Sequence, residues 1–254
     1  MTNTTKQNDG LSPMISINQM VEFVAASERG KRAIVRKQKH PSTFRVARYA
    51  TARASFKNYC KNDFDEAILL QGLEKLQNKT PVSQWAASEK SCSIQAIRGF
   101  MQSHFPERFG RIKCSFFTPR EKQIRFGGLT LVVAPDLIFR WEEDGTRYIG
   151  CLKLRIKKKA AEFGVYRRIA SLLAHYLKCI AADDEVVVNN FCLCYNAMDG
   201  NIIPAPRDLQ SDMEDLRIAS EQIVELWNVA WIGDEKCLNS GYQNAETIFQ
   251  RCMG

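Results

Sequence analysis

Two short runs of the sequence carry an acid, a thiol and an amine at spacings that could build one site. The runs VVAPDLIFRW and RYIGCLKLRI flank EEDGT, and Asp-Gly between runs so rich in β-branched and aromatic residues predicts a β-hairpin. Side chains alternate faces along a strand, so Asp136 shares a face with Ala134 and Ile138. Cys151 and Lys153 likewise share a face of the second strand. If the two faces converge, a carboxylate able to hold a metal ion lies beside a lysine; otherwise the stretch is a hairpin with a basic end.

A long basic segment near the start of the chain could bind phosphates. From Arg29 to Asn62 there is no acidic residue, and a basic run with interspersed aromatics is typical of a nucleic-acid-binding surface. Its basic residues are Arg29, Lys31, Arg32, Arg36, Lys37, Lys39, Arg45, Arg48, Arg53, Lys57 and Lys61. Alternatively, the segment is a solvated pair of helices with its aromatic side chains in the core. Those aromatic residues are Phe44, Tyr49, Phe56 and Tyr59.

A second basic cluster follows the hairpin and could also hold phosphates. An equally open interpretation is that it forms the solvated end of a strand and the face of the next helix. Its members are Lys157, Lys158, Lys159, Arg167 and Arg168.

The charge is distributed unevenly along the chain. The net charge is +8, and residues 1–62, 63–182 and 183–254 carry +9, +8 and −9 respectively. This asymmetry favours a polyanion as the partner of the first two thirds. The acidic last third is then free to contact a different partner, such as a protein.

The bulk composition indicates an ordinary globular protein, with 45% hydrophobic and 25% charged residues. No apolar run approaches the roughly 20 residues that span a bilayer, and the polar start MTNTTKQNDG lacks the apolar centre of a secretory signal. We therefore expect a cytoplasmic protein with no membrane partner. The nine cysteines show no zinc-like spacing and indicate reduced, mostly buried thiols.

The order of predicted elements gives the fold class α+β, with a mixed central sheet flanked by helices and a helical N-terminal region. Helical periodicity dominates up to SIQAIRGFMQSHF, strands begin at Ile112, and a helix, two further strands and an acidic amphipathic helix follow. This order predicts a loose leader over residues 1–14 and a helical basic region over 15–105. It also predicts a core over 106–254 that ends in the acidic helix.

Residues 112 to about 205 resemble the PD-(D/E)XK nuclease superfamily, particularly its RecB-like branch. The counterparts of the family's elements are KCSFF, RFGGL, VVAPDLIF with Pro135 and Asp136, the EEDG turn, YIGCLK with Lys153, and the helix that begins near Ala160. The resemblance implies a core like that of restriction endonucleases, in which carboxylates hold Mg²⁺ and the lysine steadies developing negative charge. Asp136 and Lys153 match this pattern as the expected catalytic residues, with Asp136 as the expected metal ligand.

The sequence departs from the family pattern at its second acid, because Cys151 occupies that place. A thiolate is a soft ligand that suits Mg²⁺ poorly. Glu162, in the first turn of the following helix, is a candidate replacement, since some members of the superfamily carry a metal-binding acid there. It could equally be an acid that interacts with the helix dipole.

Three functions remain open at this stage. The first is a DNA-binding protein on a nuclease-like core that has lost catalysis, possible roles being DNA repair or phage defence as the resemblance implies. The second is an active Mg²⁺-dependent deoxyribonuclease that uses Asp136, Lys153 and a relocated acid such as Glu162. The third is an interaction subunit that docks through its acidic C-terminal third. The loss of an acid favours the first over the second, and the basic segment favours both over the third.

Overall fold

The computed structural model describes residues 12–39, 49–109, 112–157 and 161–229. Its helices are α1 (Ile17–Val24), α2 (Glu28–Lys39), α3 (Ala50–Lys61), α4 (Glu66–Gln77), α5 (Gln84–Gln102), α6 (Phe163–Ile180) and α7 (210–229). Its strands are β1 (Met14–Ser16), β2 (Ser115–Phe117), β3 (Gln123–Phe126), β4 (Leu129–Val132), β5 (Leu137–Glu143), β6 (Thr146–Arg155), β7 (Glu185–Asn196) and β8 (Ile202–Pro204). The predicted α+β class is confirmed. No helix within these ranges is both long and apolar enough to cross a membrane.

A mixed five-stranded sheet, in the order β2-β5-β6-β7-β8, forms the centre of the fold. Strands β6 and β7 are parallel and are joined by α6, whereas the other neighbours are antiparallel. Both strands of the parallel pair therefore end at the same edge of the sheet. The two further strands predicted after the helix are confirmed as β7 and β8, which pair antiparallel.

The predicted hairpin is confirmed as the β5–β6 pair. Its two-residue turn consists of Asp144 and Gly145, with φ angles of 49° and 74°. Positive φ at both central positions gives the twist that right-handed strands require, and Asp-Gly adopts it at little cost. The turn sets a register in which Ile138 lies opposite Cys151.

The prediction that VVAPDLIFRW forms one strand is wrong. Strand β4 ends at Val132 and β5 begins at Leu137, and the two strands belong to different sheets. Strand β4 lies in a smaller sheet of order β1-β4-β3. Because Pro135 cannot donate a backbone hydrogen bond and restricts the residue before it, the chain bends there and passes between sheets. Ala134 is consequently not on the strand that follows Asp136, although Ile138 is.

Helices cover the five-stranded sheet on both faces. Helices α1, α6 and α7 and the smaller sheet pack into one hydrophobic cluster, and α3, α4 and α5 pack into another. The predicted helical region is thus divided between the two faces. Met14, the last residue of the predicted leader, pairs with Thr130 of β4, so at least this end of the leader belongs to a sheet; residues 1–11 lie outside the described ranges.

A glycine in β6 permits close packing just before the part of this strand that carries Cys151 and Lys153. A Cβ atom at Gly150 would lie 2.5 Å from the Phe139 ring and 2.7 Å from the Phe191 carbonyl oxygen. The pairing of β6 with β7 shifts register between Ile149 and Cys151 at this point. Beyond the shift, Lys153 pairs with Cys194 and Arg155 with Asn196, which sets the polar residues at the ends of both strands.

Candidate functional site

Asp136 lies directly before β5 and forms hydrogen bonds with the two residues of β6 that flank Lys153. Its backbone N–H donates to the Leu152 carbonyl oxygen at 2.8 Å, and its Oδ2 accepts from the Leu154 backbone N–H at 2.8 Å. The hairpin thus brings Asp136 beside Lys153, although the prediction that Asp136 itself lies on a strand is wrong, because β5 begins at Leu137. Only 9% of Asp136 is exposed, so the carboxylate depends on these protein donors rather than on water.

Arg53 occupies the remaining oxygen of this carboxylate. Its Nη1 lies 2.5 Å from Asp136 Oδ1, and its Nη2 donates to the Leu154 carbonyl oxygen at 3.0 Å. The guanidinium comes from the first turn of α3, and α3 begins after Tyr49, whose backbone N–H donates to Glu89 Oε1 at 2.8 Å. Arg53 is thus one of the predicted phosphate-binding residues, yet its charge is paired with Asp136.

Lys153 is buried and binds the loop between β4 and β5. Its Nζ donates to the carbonyl oxygens of Val133 at 2.7 Å and Ala134 at 2.6 Å. Burial lowers the pKa of Lys153 to about 8; Asp136 opposes this shift and Arg53 adds to it. Ala134 has a φ of 42°, a left-handed conformation that strains a residue with a side chain and that the neighbouring contacts maintain.

Cys151 is fully buried and lies in the cluster on the α6 face of the sheet. Its Sγ is 3.8 Å from the Leu173 carbonyl oxygen of α6. Burial raises the pKa of the Cys151 thiol well above its ordinary value, and the neighbouring Cys192 raises it further. The position where the resemblance led us to expect a second acid therefore carries a neutral thiol in an apolar environment.

These residues do not suit a magnesium ion. Mg²⁺ requires several hard oxygen ligands, whereas both oxygens of Asp136 already accept hydrogen bonds and Cys151 offers only a buried sulfur. Within the described ranges no three His, Cys, Asp or Glu side chains are grouped so that they could hold a metal. Glu162 is the exposed N-cap residue of α6, and its side chain makes no capping hydrogen bond. Its role as a relocated acid stays a prediction.

A second group of polar residues lies at the carboxyl ends of β6 and β7, and of its members the sequence interpretation named only Lys157. Arg155 Nη2 lies 3.0 Å from Glu22 Oε1, and Lys157 Nζ lies 2.7 Å from the same oxygen. Asn196 Nδ2 donates to the Tyr166 hydroxyl at 3.0 Å. The sequence did contain a signal for this group, since both apolar strand runs end in polar residues. Parallel strands bring their carboxyl ends together, so these residues should meet.

Helix α2 carries exposed basic residues of the predicted phosphate-binding segment. Arg29, Arg32 and Arg36 are exposed and lie on one face, since they are spaced by three and four residues. Lys37 is also exposed. No carboxylate of the described residues lies within ion-pair distance of the three arginines. We call Arg29, Arg32 and Arg36 the α2 arginine stripe.

The other two lysines of α2 point toward α7. Lys31 Nζ donates to Glu28 Oε1 at 2.9 Å and to Gln222 Oε1 at 3.2 Å, and Lys39 Nζ donates to the Trp227 carbonyl oxygen at 3.3 Å. These contacts connect α2 with α7 and leave the stripe as the outward basic face.

The predicted basic residues of α6 also contact α7. Arg167 forms a bidentate pair with Asp212, with Nη2 2.7 Å from Oδ1, and Arg168 Nη2 lies 2.6 Å from Asp215 Oδ2. Two acids of the acidic helix are therefore engaged within the chain rather than with a partner. Arg45, Arg48, Lys158 and Lys159 lie outside the described residues, as does Phe44.

The aromatic residues of the basic segment lie mainly in the core. Phe56 and Tyr59 are buried in the cluster of α3, α4 and α5, where the Phe56 ring lies 4.5 Å from the Phe100 ring. Tyr49 is half-buried against the same cluster. Stacking of nucleic-acid bases on Phe56 or Tyr59 would require this core to open.

Comparison of the sequence with models of protein families gave no match. Comparison with curated proteins also gave none.

Proposed function

We propose that this chain binds nucleic acid, with DNA as the ligand to test first, and that it does not cut it. The core resembles that of PD-(D/E)XK nucleases in the order of its elements, and its site lacks the usual acids. The observation that carries the proposal is the α2 arginine stripe. Three exposed guanidinium groups, none of them paired with a carboxylate of the described residues, suit a chain of phosphates, since arginine binds phosphate oxygens through paired N–H groups.

The absence of cutting is supported by the environment of Asp136. A metal-dependent nuclease needs at least two free hard ligands to activate water on a metal ion. Here Arg53 provides the positive charge that balances Asp136, and Cys151 cannot supply a second carboxylate. The basic surface can therefore hold a phosphate backbone without the chain hydrolysing it.

The test is binding of a labelled DNA duplex followed across salt concentrations from about 50 to about 200 mM. Affinity should fall steeply with salt, and the Arg29→Gln, Arg32→Gln and Arg36→Gln triple variant should bind more weakly. Each lost phosphate contact should reduce the slope of log K against log salt by about 0.9, so the triple variant should lose up to about 3 from that slope. Incubation with Mg²⁺ or Mn²⁺ should leave the DNA intact.

A matched control is the double variant Lys75→Gln and Lys79→Gln. Both residues are exposed and lie on or just after α4, which packs on the opposite face of the sheet from α1 and α7. This variant should bind DNA as the native chain does. Equal losses in the triple and control variants would remove the stripe from the proposal, and metal-dependent cleavage lost in Asp136→Ala would overturn the claim that the site is inactive.

A further inference from the structure

A groove of about 730 Å³ runs between α2 and α7 beside the arginine stripe. Its lining consists of Glu28, Arg29, Arg32, Ala33, Val35, Arg36, Leu226 and Val229. We propose that this groove receives unpaired bases, so that the ligand of the chain is a single-stranded nucleic acid in preference to a duplex. This inference rests on the proposed function, because it names the form of nucleic acid that the same surface binds.

The α2 wall of the groove suits the backbone of one strand. Arg29 and Arg36 are seven positions apart, which is about 10 Å along a helix axis. That span covers about three consecutive phosphates at the axial spacing of a single stacked strand. The three guanidinium groups can therefore follow one backbone without a second strand.

The α7 wall and the floor of the groove are apolar. Val229 is 59% exposed and Leu226 is half-buried, and Ala33 and the buried Val35 also line the groove. A duplex presents phosphates and polar base edges to a protein and keeps its base faces stacked inside. A single strand can turn its base faces outward, and these faces provide the apolar surface that the α7 wall would cover.

Glu28 limits the phosphate-binding part of the groove. Its carboxylate lies at the start of α2 and is held by Lys31 at 2.9 Å. Negative charge at this end disfavours a phosphate there, so the backbone should follow the wall from Arg29 toward Arg36. An acidic peptide with apolar side chains is the other ligand that such a groove could accept. It would lack the regular phosphate spacing that the stripe matches.

The test compares a labelled single strand of about 20 nucleotides with the same strand annealed to its complement. Fluorescence anisotropy should show that the native chain binds the single strand about tenfold more tightly than the duplex. Val229→Gln should weaken single-strand binding about fivefold and leave duplex binding unchanged, because it removes only the apolar contact. The triple variant of the stripe should weaken both, and Lys75→Gln with Lys79→Gln neither. Circular dichroism establishes that each variant is folded, and Val229 is exposed enough for its substitution to be tolerated.

The outcomes separate this inference from the proposed function. Equal or tighter binding of the duplex, or an unchanged affinity of Val229→Gln for the single strand, would overturn the inference and leave nucleic-acid binding in place. Failure to bind either form would overturn both. Tighter binding of an acidic, leucine-containing peptide than of either nucleic acid would assign the groove to a protein partner.

Discussion

At the scale of single residues, Lys153 has a structural role that its place in the sequence pattern does not suggest. Its ammonium group donates to two carbonyl oxygens of the loop that carries the chain from the small sheet to the large one. A charged amine in such a buried place is stable only while these acceptors and Asp136 offset the lost hydration. Lys153 therefore stabilises the connection between the two sheets.

The lowered pKa of Lys153 predicts how stability depends on pH. The folded chain releases the proton near pH 8 and the unfolded chain near 10.5, so the unfolded state holds more protons between these values. The contribution of Lys153 to the free energy of unfolding should thus rise as pH increases through this window. Between pH 7 and 9.5 the gain should be about 2 kcal/mol. It is measured as the difference between native and Lys153→Met chains in denaturant unfolding.

Lys157→Met provides the comparison, since Lys157 is half exposed. It controls for the loss of one lysine side chain outside the core. If the free energies of unfolding of the native and Lys153→Met chains changed with pH in the same way, burial would not lower the pKa of Lys153.

The sequence alone located the chemistry of this site only in part. Asp136, Cys151 and Lys153 could be placed together because a two-residue turn fixes their register locally. Arg53 could not be placed, because its contact with Asp136 joins α3 to β5 across distant parts of the chain. A local pattern shows that Arg53 is basic, and only the packing of α3 shows that its charge is already paired.

At the scale of elements, the ion pairs between α6 and α7 explain why the acidic helix belongs to the body of the protein. Asp212 is 2% exposed and accepts from Arg167 and from Ser171 Oγ, the latter at 2.7 Å. Both oxygens of the Asp212 carboxylate therefore accept hydrogen bonds from side chains of α6. Two acids of the last third, Asp212 and Asp215, therefore hold α7 against its basic neighbour α6.

Asp212→Ala should reveal the strength of that contact. Removing the carboxylate leaves the Arg167 guanidinium without its acceptor and leaves the buried Ser171 hydroxyl only the Arg167 carbonyl oxygen, and we expect a loss of about 3 kcal/mol in the free energy of unfolding. Glu214→Ala is the control on the same helix, because Glu214 pairs with Arg217 only at the surface. It should cause no measurable loss in the same denaturant titration. Similar losses in both variants would mean that α7 contributes to stability through helix formation alone.

The elements themselves were predictable where local periodicity determines them. The hairpin, the helix after it and the β7–β8 pair follow from strand runs, turn residues and apolar spacing. The break at Ala134 and Pro135 was missed because VVAPDLIFRW reads as one continuous run, and one of the two partners of β4 is the distant strand β1. Which face of the sheet each helix covers was not predictable, since an apolar stripe does not specify its partner.

At the scale of the whole molecule, the five-stranded sheet depends on helices from both ends of the chain. Helix α1 and the later helices α6 and α7 cover one face, and α3 to α5 cover the other. A sheet with two apolar faces is stable only when helices or other elements pack on both of them. The α2 arginine stripe and α7 also meet only because the start and the end of the described chain pack on one face.

The parallel pairing of β1 with β4 closes a very long loop, because it joins Met14 to Thr130. Long loops cost more entropy to close, and chains rich in distant contacts fold slowly. The β5–β6 hairpin closes through only two residues. We therefore expect the hairpin to be formed in the transition state for folding and β1 to dock after it.

Stopped-flow measurements on two conservative variants would test this order. Ile149 of β6 and Ile15 of β1 are both buried, and each Ile→Val change should cost about 1 kcal/mol, enough for a reliable ratio of kinetic to equilibrium effects. Ile149→Val should slow folding, and Ile15→Val should mainly accelerate unfolding. An Ile15→Val chain that folds slowly but unfolds at the native rate would place the closing of the long loop before the barrier.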